Sequence, residues 1–383
     1  MGTLAVTNIG ELVSGDIRAP LLDANTILIR DNIIETIGRD VDVSQVEKVI
    51  DAKGMTVTAG LIDSHLHPVF DDYTPRQRTV GFMESEVQGG VTTAISAGEV
   101  HLAGRPKDAA GVKALAILAA KCSRKFRPGG MKLHGGAVIL EPGLTEEDFV
   151  EMAQEGVWLV GEVGLGAVKA PQEAALMLKW AKRYGMKSKM HTGGTSIPGS
   201  SVVTAEMVFE AGPDVAAHIN GGPTAMPLAE VERLIKESKI GLELCHCGNP
   251  KVLFEAVKMI VRENAQERVL IGNDAPSGTG VIPLGILRTI AQIASLNGIE
   301  APEVIAMATG NTANIYELNC GVIEPGREAD LVIMDAPMGS VGEGALSAIE
   351  AGDTPAIAAV IIDGQVVVSK SRNTPPAKRG VVV

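Results

Sequence analysis

Six residues able to bind metal ions or transfer protons occur where short apolar stretches of the chain end. They are His65, His67, Glu162, His191, His218 and Asp274. Each follows a run typical of a buried strand and precedes a loop containing Gly or Pro. In barrels of alternating strands and helices, active sites lie at the carboxyl ends of the strands. The pattern therefore predicts that the six side chains share one rim.

His65 and His67 form a His-x-His pair in the segment GLIDSHLHP. Side chains two positions apart on a strand point the same way, so both rings can face one cation. The spacing alone is equally compatible with polar side chains satisfied inside a core. The four other residues at matching strand ends favour a metal site.

The combination of imidazole and carboxylate without thiolate suits zinc, iron or manganese better than magnesium or calcium. Four histidines and two acids exceed what one catalytic ion needs, because such an ion keeps a position open for water. Two divalent ions are therefore predicted, with Glu162 as the bridge because it lies between His67 and His191 in the chain. The remaining positive charge favours an anionic substrate or a developing oxyanion.

The elements that position these residues follow an alternating pattern from residue 57 onward. Eight apolar stretches are predicted as strands: 57–63, 92–98, 131–138, 158–164, 187–191, 215–219, 241–245 and 269–274. Helical segments are predicted between them, among them 171–184, 228–238 and 251–264. The fold class predicted is α/β, a distorted (β/α)8 TIM barrel over residues 58–321. Strand-like texture at 1–57 and 322–383 predicts a small β-sandwich domain built from both termini.

Composition excludes several classes of protein. The 383 residues hold 34 Lys and Arg against 46 Asp and Glu, a formal net charge of −12, with no basic cluster for nucleic acid. No stretch approaches the ~20 apolar residues of a membrane helix, and the start lacks a signal-peptide pattern, so no membrane partner and a cytoplasmic location are expected. Four cysteines in this length do not form a disulfide framework.

The motifs GLIDSHLHP, VGEVGLG, KMHTGG, AHINGG and IGNDAP, followed by GVIEPGREADLVIMD, resemble the amidohydrolase superfamily over almost the whole chain. The resemblance implies that His65, His67 and Asp274 bind one metal, that His191 and His218 bind the other, and that Glu162 bridges. Many relatives bridge with a carboxylated lysine; the matching strand end here holds Glu162, so no modified lysine is predicted.

Several loop segments are similar to those of members that act in nicotinate degradation, namely HGGAVIL, HTGGTSIPGSS, HINGGPTA, GNDAPSGTGVIPLGILR and KSRNTPPAKR. This likeness implies hydrolytic opening of a cyclic enamide, 6-oxo-1,4,5,6-tetrahydronicotinate, to 2-formylglutarate and ammonium. It also implies zinc together with iron as the two ions, and a homotetramer. The same set of metal-binding residues also leaves open another cyclic amidohydrolase, of the dihydroorotase, hydantoinase or imidazolonepropionase type.

Asp274 is predicted as the catalytic residue, since one carboxylate can take a proton from the attacking water and return it to the leaving nitrogen. A purely structural ligand is the alternative. Seven further residues are candidates for contacting a carboxylated ring substrate: Arg76, His101, Arg105, Lys107, His134, Thr195 and Ser196. The alternatives are solvated surface cations and, for His134, an interior histidine or one that orients a ligand. Cys245, His246 and Cys247 are interpreted as packing and loop residues.

Two functions of other classes stay open. A catalytically silent binding protein on the same fold would have no need for converging polar groups. A single-metal deaminase of a heterocycle would leave Glu162 without a role. A Ser-His-Asp hydrolase is disfavoured because the sequence lacks a GxSxG segment.

Overall fold

A computed structural model describes residues 2–68, 76–100, 104–196, 200–222, 224–276 and 282–382, with the backbone alone for 76–80. The first 59 residues form short strands. They are β1 (Thr3–Thr7), β2 (Glu11–Val13), β3 (Leu21–Leu22), β4 (Thr26–Arg30), β5 (Ile33–Gly38), β6 (Lys48–Asp51) and β7 (Thr56–Ala59).

Eight strands that alternate with helices follow. The strands are β8 (Leu61–Leu66), β9 (Val91–Ser96), β10 (Lys132–His134), β11 (Leu159–Val163), β12 (Lys187–Met190), β13 (Val215–Ala216), β14 (Gly241–Cys245) and β15 (Val269–Gly272). The helices are α1 (Arg76–Gln88), α2 (Ala109–Ser123), α3 (Glu146–Gln154), α4 (Pro171–Arg183), α5 (Ala205–Ala211), α6 (Leu228–Glu237), α7 (Pro250–Arg262), α8 (Gly285–Asn297), α9 (Ala301–Met307) and α10 (Gly310–Tyr316).

The last part of the chain returns to strands. It contains β16 (Leu331–Asp335), the short helix α11 (Ala345–Glu350), β17 (Ala356–Ile362) and β18 (Gln365–Val368). Among the described residues, none of these helices is long and apolar enough to cross a membrane.

Helix α4 illustrates why the alternating region folds as it does. Pro171 occupies its first turn, where a missing N–H costs nothing. Its buried residues recur at helical spacing and form one apolar stripe: Ala174, Met177, Leu178 and Ala181. The charged residues between them face outward. This stripe packs the helix into the large hydrophobic core that also contains the strands.

The strands β8 to β15 form two parallel sheets. One has the order β10-β9-β8 and the other the order β11-β12-β13-β14-β15. Isolated parallel bridges connect strands of the two sheets, Leu66 with Ala275 and Val138 with Val160. All neighbouring pairs run parallel, so the carboxyl ends within each sheet lie along one edge.

The terminal strands form two further sheets. One has the order β5-β4-β1-β6, and the other, with the order β18-β17-β16-β7-β2-β3, joins both ends of the chain. Its centre pairs β16 antiparallel with β7, Leu331 opposite Ala59. One hydrophobic cluster contains side chains from both sheets, including Val6, Ile29, Val57 and Ile333.

The prediction of a single strand over 57–63 is wrong. The chain divides at Gly60, so that β7 joins the terminal six-stranded sheet and β8 joins a parallel sheet. The Gly60 N–H donates to the Asp330 carbonyl at 2.8 Å, and a Cβ at Gly60 would lie 2.1 Å from Thr92 Oγ1. The close approach of Thr92 explains why glycine stands at this division.

Candidate metal centre

The six predicted residues lie at the carboxyl ends of the strands. His65 and Glu162 are the penultimate residues of β8 and β11, and the other four follow β8, β12, β13 and β15 within two residues. Five of the side chains are at most 4% exposed, whereas that of Asp274 is 20% exposed. Asp274 is therefore the member of the set most open to a molecule entering from solvent.

One half of the cluster joins the His-x-His pair to both acids. Asp274 Oδ1 lies 3.5 Å from His65 Nε2 and 3.4 Å from His67 Nε2. Glu162 Oε2 lies 3.6 Å and 3.3 Å from the same two nitrogens. The Asp274 N–H donates to the His65 carbonyl at 2.9 Å, which ties β8 to the segment after β15.

The other half uses the second oxygen of Glu162. Glu162 Oε1 lies 2.6 Å from His218 Nε2 and 3.5 Å from His191 Nδ1. The two ring nitrogens lie 3.2 Å apart. The carboxylate thus divides its oxygens between the two histidine pairs, as a group bridging two cations must.

The outer nitrogens of three rings face groups that only accept hydrogen bonds. The pairs are His65 Nδ1 with Glu243 Oε2 at 2.6 Å, His67 Nδ1 with the Gly98 carbonyl at 3.0 Å, and His191 Nε2 with the Gly194 carbonyl at 2.7 Å. In a neutral ring these outer nitrogens hold the proton, so each inner nitrogen presents a lone pair. The lone pairs of His65 and His67 then face each other 3.2 Å apart. A cation held between them relieves this repulsion, so the donor set fits divalent metal ions.

The electrostatics of the cluster favour positive charge. Burial opposes protonation of His67, but its contacts with Asp274 and Glu162 raise its pKa to about 10. Burial also opposes ionisation of Glu162, yet the His65 and His218 rings lower its pKa well below the ordinary value. Burial opposes ionisation of Asp274 as well, and the His65 charge with the His67 hydrogen bond lowers its pKa below the ordinary value. Both acids are therefore carboxylates at neutral pH, which is the form that binds metal.

Sequence reasoning missed an ion pair directly beneath His65. Glu243 on β14 and Lys189 on β12 lie 3.1 Å apart and are fully buried. Although burial raises the pKa of Glu243, Lys189 and His65 lower it below the ordinary value. The signal available in the sequence is a charged residue inside a short buried strand, Lys189 in KSKM and Glu243 in GLELC.

A second missed network supports the segment that leads to Asp274. Asp63 accepts from the N–H and the side-chain amide of Asn273 at 3.0 and 2.8 Å. Glu86 accepts from the same amide at 3.2 Å and from the Leu284 N–H at 2.9 Å. Burial raises the pKa of Asp63 to about 6. Burial, and to a smaller extent the nearby charge of Asp63, raises the pKa of Glu86 to about 8.

The predicted substrate contacts lie in varied places. Arg105 donates to Glu141 at 3.0 Å in a buried ion pair, whereas Lys107 is exposed. Thr195 and Ser196 are exposed on the loop after His191, and the Ser196 N–H donates to Ser200 Oγ at 3.0 Å.

Of the two other residues predicted to contact substrate, the structure describes one in part and leaves the other outside the described residues. Arg76 begins α1, of which the structure gives the backbone at that position. His101 lies outside the described residues.

His134 lies away from the six-residue cluster. Its ring stacks edge-on against Trp158, which precedes β11, with ring centroids 5.2 Å apart. His134 is the last residue of β10, as predicted, and an isolated bridge between Val138 and Val160 follows it along the chain. His134 lines a cavity of about 450 Å³, and Lys132 and Cys320 also belong to its wall. Burial lowers its pKa to about 4.

Two other groups of metal-capable atoms occur among the described residues. Glu243 belongs to one with Cys245, and Glu328 and Asp330 belong to one with Cys320. In both groups a lysine ammonium already contacts the carboxylates, Lys189 in the first and Lys132 in the second. His246 instead contacts Thr289 Oγ1 at 3.0 Å, and Cys122, Cys245 and Cys320 are free thiols.

Comparisons with known proteins agree with this geometry. Enamidase of Eubacterium barkeri is 55% identical over the full length of both chains. The crystal structure of an enamidase superposes with a TM-score of 0.96, again at 55% identity and full coverage of both chains. A dihydroorotase of Clostridioides difficile is 23% identical over 81% of this chain and 85% of its own.

A more distant structure shares the fold alone. The β-aspartyl dipeptidase of Fervidobacterium islandicum AW-1 has a TM-score of 0.69 at 16% identity, covering 98% of this chain and 99% of its own.

The amidohydrolase family model matches residues 56–367, which include all six residues of the cluster. On this match and the full-length similarity, the chain belongs to the amidohydrolase family.

Proposed function

We propose that this protein is a binuclear metal-dependent hydrolase that opens a cyclic amide ring. The observation that carries the proposal is the convergence of four imidazoles on Glu162 and Asp274, with each Glu162 oxygen turned to a different histidine pair. Bound divalent ions supply Lewis-acid activation of an amide carbonyl and of water at neutral pH.

The residues divide between two ions. His65, His67 and Asp274 are proposed to hold one ion, and His191 and His218 to hold the other, with Glu162 bridging. Zinc and iron as the two metals, and assembly into a homotetramer, stay predictions.

Asp274 is proposed as the proton carrier of the reaction. Its carboxylate is the most exposed of the six side chains, so it can reach both the attacking water and the substrate. It takes a proton from that water and delivers it to the ring nitrogen as the C–N bond breaks. Glu162 is buried and lacks comparable access to water and substrate, so it serves as a fixed negative charge.

The proposed substrate is 6-oxo-1,4,5,6-tetrahydronicotinate, supported by the 55% identity to enamidase. One water opens the lactam and leaves an enamine. A second water converts the enamine to an aldehyde, which gives 2-formylglutarate and ammonium. The substrate is a small anion, in keeping with a centre where cations dominate.

For the fold, we propose that the two parallel sheets form one distorted (β/α)8 barrel. The bridges at Leu66 and Val138 support closure at both seams. The terminal sheets are proposed to form a β-sandwich domain from 1–59 and 322–383, with the boundary at Gly60 because β7 extends to Ala59.

A substrate panel tests the activity. Protein reconstituted with zinc, and in parallel with zinc and iron, is assayed with the tetrahydronicotinate lactam, dihydroorotate, hydantoin and imidazolonepropionate. Ring opening is followed by loss of ultraviolet absorbance, and ammonium release is a second readout for the tetrahydronicotinate lactam. We expect the tetrahydronicotinate lactam to have a kcat/KM at least 100-fold above the others. Faster turnover of another ring would identify that ring as the substrate instead. No turnover of any cyclic amide would refute the proposal that the protein is a cyclic amide hydrolase.

A further inference from the structure

A buried ion pair links three strands under the metal centre. Glu243 Oε1 accepts from Lys189 Nζ at 3.1 Å and from Ser64 Oγ at 2.7 Å. Lys189 Nζ also donates to the Ser64 carbonyl. Side-chain exposure is 1% for Lys189 and 0% for Glu243, so both groups are shielded from solvent.

The second oxygen of Glu243 reaches both halves of the centre. Glu243 Oε2 accepts from His65 Nδ1 at 2.6 Å and from the His218 backbone N–H at 3.3 Å. His65 belongs to the half that contains Asp274, and His218 to the half that contains His191. One buried carboxylate oxygen therefore touches a residue of each half.

We propose that Glu243 is the positioning residue of the whole metal centre and that Lys189 balances its charge. The proposal rests on the proposed function, because it concerns how the two proposed ions are held. An ionised carboxylate only accepts hydrogen bonds, so it keeps the proton of His65 on Nδ1 and turns the Nε2 lone pair toward the ion. The contact with the His218 N–H fixes the backbone from which the other half projects.

Lys189 makes the buried carboxylate tolerable at this position. A carboxylate without a partner in the interior is strongly destabilising, whereas a paired one is not. Its ammonium also donates to the carbonyl of Ser64, the residue before His65, and so fixes β8 at that point. The pair adds an oriented acceptor under the centre with no net charge.

The double variant Lys189→Met/Glu243→Gln tests the proposal, since it removes both charges together. Zinc binding to the metal-free protein is measured by competition with a chromophoric chelator, and folding by urea denaturation of the same metal-free protein. We expect the ion of the His65 half to bind roughly 10- to 100-fold more weakly. The ion of the His191 half is expected to weaken less, because its link is one backbone contact.

The control is Lys132→Met/Asp330→Asn, which removes a lysine and an aspartate 2.8 Å apart and largely buried, at a distance from the centre. Lys132 also contacts Glu328 and Asp363, so this control disturbs its surroundings at least as much as the test variant does. This control is expected to lower stability and leave both zinc affinities within 2-fold. Unchanged affinities in a folded Lys189→Met/Glu243→Gln protein would overturn the positioning role. Failure of the wild-type chain to bind two ions would instead overturn the proposed function.

If the double variant does not fold, Glu243→Asp provides the second test. It keeps the charge beside Lys189 and withdraws the carboxylate from the His65 ring by one methylene. Weaker zinc binding with a stable fold would support the positioning role, and wild-type affinity would overturn it.

Discussion

Glu162 is the residue on which the two halves of the centre depend, since each of its oxygens faces a different histidine pair. Glu162→Gln replaces one of those oxygens with an amide group that donates and does not bind metal. We expect the purified variant to lose at least one of two ions per chain. The measurement is elemental analysis by mass spectrometry after gel filtration, and retention of both ions would contradict the bridging role.

Asp274 is expected to affect turnover more than binding. Asp274→Asn keeps one oxygen able to contact metal but cannot accept the proton of the attacking water. We expect kcat to fall about 10²- to 10⁴-fold at saturating zinc, with KM within a few-fold. Steady-state kinetics on protein of verified metal content measures this, and a kcat close to wild type would restrict Asp274 to a structural role.

The sequence located the six cluster residues because each stands at a recognisable end of an apolar run. Glu243 and Lys189 could not be found this way, because they lie inside short strands and contact each other across 54 positions. Their strands, β12 and β14, lie on either side of β13, and the order of strands in the sheet is not written in either segment. Arg105 illustrates the opposite difficulty, since a cation near the rim gives no sign in sequence of its buried partner Glu141.

At the scale of elements, the division between β7 and β8 depends on Gly60. Gly60→Ala would place a Cβ against the buried, β-branched Thr92, with 2.1 Å to its Oγ1 and 2.6 Å to its Cγ2. We expect a loss of about 1–3 kcal/mol in the free energy of unfolding. Urea denaturation measures it, and addition of Thr92→Ala is expected to restore part of the loss.

Gly81 in α1 offers the matched control, because a Cβ there meets nothing within 4 Å. Gly81→Ala is expected to be neutral or to stabilise by up to ~1 kcal/mol, as alanine favours a helix. Equal effects of the two substitutions would contradict the role of Thr92 at the division.

The position of His134 predicts a pH dependence of stability. Burial lowers the pKa of His134 to about 4 in the folded protein, below the ordinary 6.5. Between pH 6.5 and 4 the unfolded chain therefore binds a proton that the folded chain does not, so stability falls as the pH falls. We expect His134→Phe, which can keep an edge-on contact with Trp158, to reduce that fall by roughly 2 kcal/mol.

Urea denaturation of chelator-treated protein at several pH values checks this, because metal loss then affects neither protein. His246, whose pKa burial also lowers to about 4, remains in both proteins and cancels in the comparison. Parallel pH profiles for wild type and variant would contradict the assignment to His134.

The strand pattern was readable from sequence, but where one strand ends and another begins was not. Residues 57–63 read as one run, and the pairing of β7 with β16 and β2 separates its first part from β8. The stretch 131–138 likewise narrows to β10, because the strand is interrupted at Gly135 and Gly136 before the bridge at Val138. Apolar periodicity reports burial and leaves the partner strand undetermined.

Across the whole molecule, both ends of the chain join in one six-stranded sheet beside the parallel sheets. Similar β texture at the two ends indicated that they meet. The order β18-β17-β16-β7-β2-β3 could not be predicted, because it depends on pairings between residues more than 250 positions apart, such as Leu331 with Ala59.

An anomalous diffraction map at the zinc edge tests the binuclear centre most directly. Crystals of zinc-reconstituted protein are predicted to show two peaks roughly 3.5–4 Å apart, one on each side of the Glu162 carboxylate. The peaks should contact His65 and His67 on one side and His191 and His218 on the other. A single peak, or peaks bound elsewhere with these side chains turned apart, would contradict the two-metal centre.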